Sequence, residues 1–199
     1  PTQVGVFDTD LMSPAFHKER RDKLRELMPA NSVAILYSSP IRNRSNDVDY
    51  EYHQDPNFYY LTGLKEPHSI VIIYKDEIKI DGLITNEVLL VQPRDAKQEM
   101  WLGKRMGVDG VKQILNIDAV ISNKKLGKLK LQLEEKKALY FITDKNDTRD
   151  TKSNSDLFDL KKQIFEKTKN IEKDNFELNK WMAQLREIKT EEELILMRK

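Results

Sequence analysis

Ile70-Val-Ile-Ile-Tyr-Lys-Asp-Glu-Ile-Lys-Ile-Asp-Gly-Leu-Ile-Thr-Asn-Glu-Val-Leu-Leu-Val91 is the stretch on which the fold turns. Its two apolar runs, Ile70 to Tyr74 and Val88 to Val91, are continuous rather than alternating, the pattern of strands covered on both faces. Asp81-Gly82 between them is a turn signal. Upstream, Val33 to Tyr37 is a third run of the same kind. It follows a segment in which Ser13-Pro14 starts a helix, Phe16, Leu24, Leu27 and Met28 share one face, and Pro29 marks the end. Downstream, Val111, Ile114 and Leu115 predict a short helix and Ala119 to Ile121 a short strand. Leu126, Leu129 and Leu133 step at helical spacing, Ala138 to Ile142 is a further buried strand, and Leu157, Leu160, Ile164 and Phe165 make an amphipathic helix. Strands alternating with helices define an α/β layered sheet.

The chain of 199 residues carries 34 Lys and Arg against 33 Asp and Glu, a net charge of +1. That balance gives no field for nucleic acid or an anionic membrane, and no apolar run approaches the ~20 residues of a spanning helix. Without cysteine there are no disulfides, thiol nucleophiles or cysteine-bound zinc. From Phe176 onward, Leu178, Trp181, Met182, Leu185 and Ile188 form an apolar stripe. Thr190-Glu-Glu-Glu193 is then a capping box opening a new helix with Leu194, Ile195 and Met197. We therefore expect an α/β domain over residues 1–175, followed at 176–199 by a linker and the first turns of a further domain.

Few residues offer chemistry. His17, His53 and His68 have no metal-ligand spacing; His17 is expected on a solvated helix face and His68 in a turn. The acidic set Asp8, Asp10, Asp47 and Asp49 has a spacing that meets a hard cation, but adjacent arginines would neutralise it. Two segments are richer than connectors need to be. In residues 42–63, charged, amide and aromatic side chains crowd together; Phe58, Tyr60 and Leu61 suit a core, and Arg44, Asp47 and Asp49 a salt-bridge mesh. In residues 93–107, Trp101 sits among polar residues beside Arg94 and Arg105, either as a ligand platform or as a cap on the core.

Taken together, Ser45-Asn-Asp-Val-Asp-Tyr50, Gln54-Asp-Pro-Asn-Phe-Tyr-Tyr-Leu-Thr-Gly63, Glu66-Pro67, Val91-Gln-Pro-Arg-Asp95 and Glu99-Met-Trp-Leu-Gly-Lys-Arg105 resemble the amino-terminal domain of the Xaa-Pro aminopeptidase, prolidase and creatinase family. His53 departs from the Arg of many members. The resemblance implies a three-layer α/β/α domain with a mixed sheet of about six strands and a ribonuclease H-like motif. It implies that hydrolysis of the Xaa-Pro bond resides in a following pita-bread domain holding two metal ions, usually Mn²⁺, so that this stretch alone has no catalytic or metal-binding residues. Substrate-cleft residues are expected at Asp47, Tyr50, Trp101 and Arg105. The implied partners are peptides with proline second, and further copies of the protein; the implied location is cytoplasmic, or exported if a signal peptide was removed. The alternatives are a peptide-binding module of the same fold without catalysis, and a prolidase- or creatinase-type hydrolase.

Overall fold

The computed structural model describes residues 11–143, 147–153 and 155–199. Helix α1 (Pro14–Leu27) begins where Ser13 Oγ accepts from Phe16 N, with Pro14 in its first turn. It leads into strand β1 (Ser32–Tyr37), the hairpin β2 (Asn43–Ser45) and β3 (Val48–Asp49), and helix α2 (Pro56–Thr62). The paired strands β4 (Ile70–Ile80) and β5 (Leu83–Val91) turn at Asp81 and Gly82, both at positive φ (48° and 83°), as a two-residue hairpin requires. Both strands outrun the apolar stretches that announced them, because antiparallel pairing continues to Ile80↔Leu83.

Helices α3 (Ala96–Leu102) and α4 (Gly107–Leu115) and strand β6 (Val120–Ser122) follow. The helical step read in Leu126, Leu129 and Leu133 is corrected: a 3₁₀ helix covers only Asn123–Lys128. Beyond it Leu129, Leu131 and Leu133 are buried at every second position, a spacing of extended chain. The chain closes with β7 (Ala138–Phe141), α5 (Leu157–Lys167), β8 (Glu172–Asp174), α6 (Glu177–Glu187) and α7 (Glu191–Met197).

The main sheet has the order β6-β5-β4-β1-β7-β8, with only β4 antiparallel to its neighbours. Its central strands alternate between two cores. Ala34, Leu36, Val71, Ile73 and Leu89 face α1, α2, α4 and α6, where Phe16, Leu24, Phe58, Leu61, Val111 and Leu178 meet them. Val33, Ile35, Ile70, Ile72, Val88 and Leu90 face the other way, toward Leu126, Leu131, Leu160 and Ile164. The architecture is thus the three-layer α/β/α arrangement expected. Each fully buried Ile or Leu contributes roughly 1.5–3 kcal/mol, so the uninterrupted runs stabilise both layers at once. Helix α6, beyond the boundary expected at residue 175, seats Leu178 and Met182 in the first core. The capping box at Thr190 is present, and Glu192 of α7 accepts from Ser13 N and Oγ at the start of α1.

His17 corrects its solvated reading: it is only 2% exposed, with Nδ1 2.9 Å from Tyr60 O and its ring against Gly63. The C-terminal end of α2 curls back at Gly63 (φ +72°) onto the ring, and a Cβ there would lie 2.7 Å from it. Gly63→Ala therefore combines a left-handed backbone, which costs about 1–2 kcal/mol, with a clash in the core. Urea unfolding is expected to show a loss of more than about 2 kcal/mol; a variant as stable as the parent sequence would contradict the packing.

Candidate functional site

Five strands of the main sheet run parallel, so their carboxyl ends lie at one edge, where ligands of open α/β sheets settle. At this edge a cavity of about 680 Å³ opens, with Gln92 just past β5, Asn123 just past β6 and His68 just before β4 on its walls. Trp101, Leu102 and Arg105 from the α3 region bound one side; Asp49 and Ile41 from the hairpin, and Thr151, Ser153 and Asp156 ahead of α5, bound the other.

Helix α3 buries none of its residues. It is held by its ends: Asp95 Oδ1 accepts from Lys97 N and Gln98 N, Gly103 accepts a φ of +82°, and the Arg94 guanidinium forks onto Glu99 at 3.0 and 2.8 Å. Behind it Gly107, at φ +63°, lies where a Cβ would be 2.5 Å from Arg94 Cγ. Glu66 Oε1 accepts from Met106 N at 2.6 Å, and burial pushes the Glu66 carboxyl upward. A helix without a core face thus stands at a fixed place and carries Trp101, 85% exposed, over the cavity. The core-cap reading of Trp101 is excluded.

The hairpin has its own supports. Asn43 N donates to Arg149 O and Thr151 N to Ile41 O. At the tip, Asn43 Nδ2 donates to Asn46 O at 3.0 Å, and Asn46 takes a positive φ of 49°. Asp47 is exposed beside it at this tip. Tyr50 lines a neighbouring cavity of about 300 Å³ with Arg42, His53 and Arg149, whose guanidinium lies 5.4 Å above the Tyr50 ring. Trp101 and Arg105 therefore share one cavity, which Asp47 and Tyr50 do not line. The mesh expected among Arg44, Asp47 and Asp49 is corrected too. Among the described residues the local ion pairs run instead from Arg42 to Asp150 at 2.9 Å and from Arg149 to Asp147 at 2.5 Å. Asp8 and Asp10 of the acidic set lie outside the described residues.

His68, expected in a turn, takes φ 54° yet is only 3% exposed. Its Nδ1 accepts from Leu157 N at 3.0 Å, which leaves the proton of the neutral ring on Nε2, 3.5 Å from Asp156 Oδ1. Its carbonyl accepts from Asn123 Nδ2 at 2.9 Å. Burial lowers the His68 pKa, with Arg105 acting the same way and Asp156 against both. Gln92 Oε1 and Asn123 Oδ1 are buried acceptors without a hydrogen-bond partner among the described residues. With Asp156 and Asp49 they line the cavity with acceptors suited to N–H donors, alongside the donors Arg105 and Lys124 and an indole suited to an apolar group. Gln92 lay inside a motif already singled out; Asn123 and Asp156 carried no signal except, for Asn123, its place directly after a strand. No three His, Asp or Glu side chains gather around a common point among the described residues, so the two Mn²⁺ ions implied by the resemblance have no fitting ligand set there.

The model of the family described as aminopeptidase P, N-terminal domain matches residues 17–141. Xaa-Pro aminopeptidase from Escherichia coli is 32% identical over 116 residues, 58% of this chain and 25% of that protein. Intermediate cleaving peptidase 55 from Saccharomyces cerevisiae is 32% identical over 186 residues, 91% of this chain and 36% of its own length. The solved structure of E. coli aminopeptidase P in its low pH form superposes with a TM-score of 0.72 over 94% of this chain and 42% of that one; at 22% identity it shares the fold. This chain belongs to the aminopeptidase P amino-terminal domain family, and its matches span between a quarter and a little over two fifths of these three proteins.

The buried His68 gives the site a pH signature. An unfolded histidine binds its proton near 6.5, whereas folded His68 binds one only at lower pH, so the unfolded state holds more protons between the two values. Stability therefore falls as pH drops below about 6.5. His68→Asn, which tolerates the positive φ and still offers an acceptor to Leu157 N, is expected to flatten that fall between about pH 7 and 5.5, measured as melting temperature against pH. An unchanged slope would show that His68 does not titrate in this way.

Proposed function

We propose that this chain works as the amino-terminal, non-catalytic domain of a metal-dependent Xaa-Pro aminopeptidase. In this reading the catalytic ions, manganese among the candidates, are held by the remainder of the parent protein, and this domain shapes the cleft that receives a peptide with proline second. The observation that carries the reading is Trp101: a large indole held 85% exposed on a helix with no core face is not packed into a core among the described residues. Its flat face suits a proline ring.

Asp47 at the hairpin tip supplies a carboxylate for the substrate's α-ammonium, with Tyr50 behind it on the same ribbon. Arg105, beside Trp101, offers a guanidinium to a backbone carbonyl or terminal carboxylate. Asp47 does not line the cavity that Trp101 and Arg105 share, so the four act together only if the peptide spans from cavity to hairpin, or if a second copy brings its hairpin alongside. A homo-oligomer and a cytoplasmic setting complete the proposal. The family match and the peptidase names of the relatives support the aminopeptidase part of the reading.

The test uses the parent enzyme. Trp101→Ala and Asp47→Asn alter exposed side chains, so each is expected to change stability by no more than about 0.5 kcal/mol. Loss of an ion pair to the substrate ammonium is worth on the order of 1.5–3 kcal/mol, so Asp47→Asn is expected to lower kcat/KM on Xaa-Pro peptides about 10–100-fold. Metal content should be unchanged in both variants. If Trp101→Ala leaves kcat/KM on Xaa-Pro peptides untouched, the cleft assignment of the indole fails.

A further inference from the structure

The two faces of the main sheet are unequally covered. Four helices pack on one face; on the other lie α5 and the 3₁₀ segment, the latter against β5 and β6. On that face a groove of about 420 Å³ runs between the β7 end and α5, floored by Tyr37, Leu139 and Phe141. Phe158 and Phe165 form its α5 wall, and they are 52% and 58% exposed. Two phenylalanines kept in water on one helix face are what a docking surface looks like, because isolated apolar exposure is ordinary but a lined groove is not.

The rim is cationic. Lys161, Lys162 and Lys173 line the groove, and among the described residues no Asp or Glu does. Three ammonium groups lie over its aromatic rings: Lys161 over Tyr37 at 5.0 Å, Lys173 over Phe165 at 5.5 Å and Lys152 over Phe158 at 5.6 Å. Lys173 Nζ is also fixed by Thr168 O at 2.5 Å. The charge extends beyond the rim: residues 124–173 hold fourteen Lys and Arg against nine Asp and Glu, while the rest of the chain is net acidic.

We propose that this groove docks an acidic amphipathic helix of a partner protein. Phe158 and Phe165 stand seven residues apart, about 10.5 Å along α5, which is also the rise between side chains i and i+7 of a helix laid beside it. Apolar side chains at i, i+4 and i+7 of the partner then fill the groove, and Asp or Glu on its flanks meet the lysine rim. The surface is separate from the peptide cleft, since the two cavities share no lining residue, so the proposal survives or fails independently of the peptidase reading.

The test is a fluorescence-anisotropy titration of the chain with a labelled synthetic helix of about 15 residues, long enough to hold three to four turns. The probe carries Leu at i, i+4 and i+7 with Glu on the flanks; its control carries Lys in place of Glu. The acidic helix is expected to bind at least about tenfold more tightly than the control, and more weakly as salt rises. Phe165→Ser and Lys162→Glu each change a solvent-facing side chain and are expected to weaken binding about tenfold with melting temperature nearly unchanged. Amide shifts on titration should gather in residues 139–143 and 157–173. Equal binding of both helices, no saturation, or shifts gathered elsewhere would overturn the proposal. So would self-association that Phe165→Ser abolishes, because a second copy would then be the occupant, and so would decanoate saturating the groove where the acidic helix does not.

Discussion

One buried ion cluster ties together pieces of chain that are otherwise far apart. Arg21, fully buried in the middle of α1, forks onto Glu87 of β5 at 2.9 and 3.0 Å, and Arg25 one turn later adds a third bond at 3.0 Å. The remaining Arg21 donors reach Leu61 O in α2 and Asn116 O between α4 and β6. Burial by itself would raise the Glu87 carboxyl; the hydrogen bonds and charges of the two arginines override it and hold the group below the usual carboxylate range. Three helices of one layer are thereby registered on a single sheet residue. Such a cluster adds little to net stability compared with a well-packed apolar substitute, but losing one partner strands a charge in the core. Its contribution is therefore register: α1 has one axial position and one rotation at which Arg21 is satisfied.

That register fixes the framework around the cavity at the carboxyl edge of the sheet. The α2 end received by Arg21 runs on through Gly63 to Glu66 and His68, and Glu66 holds the loop that carries Arg105 and Met106. The α4 end received by Asn116 leads into β6 and so to Asn123, which hydrogen-bonds back to His68. Packing and recognition are consequently divided between different residues. The groups that hold the cavity wall are buried, whereas Asp47 and Trp101 face solvent.

The sheet was legible because its central strands are buried on both faces and so declare themselves as unbroken apolar runs. The start of α1, the Asp81-Gly82 turn and the Thr190 capping box were legible because each rests on one local hydrogen bond or dihedral. Helix α3 was not, because it has no core face and hence no periodicity. His17 departs from its solvated reading because its neighbours Lys18, Glu19, Arg20 and Arg21 mark the helix face as polar, while Arg20 and Arg21 are themselves buried, Arg21 against Glu87, a partner remote in sequence. Leu126 to Leu133 misled because a spacing of three and four residues also contains an alternating set. At the site, the polar surroundings of Trp101 leave a platform and a core cap equally open, and the contact of His68 with Asp156 joins residues too far apart for any local pattern to report.

The central claim is that the Arg21–Glu87 pair sets the register of the helical layer, and equilibrium unfolding of a double-mutant cycle tests it most directly. Arg21→Met and Glu87→Met alone are each expected to cost about 3–5 kcal/mol, since each leaves a buried charge without its partner. The double variant should cost far less than their sum, which is the mark of a coupled pair. Single substitutions costing under about 1 kcal/mol, or costs that simply add, would show that the layer finds its register without this pair.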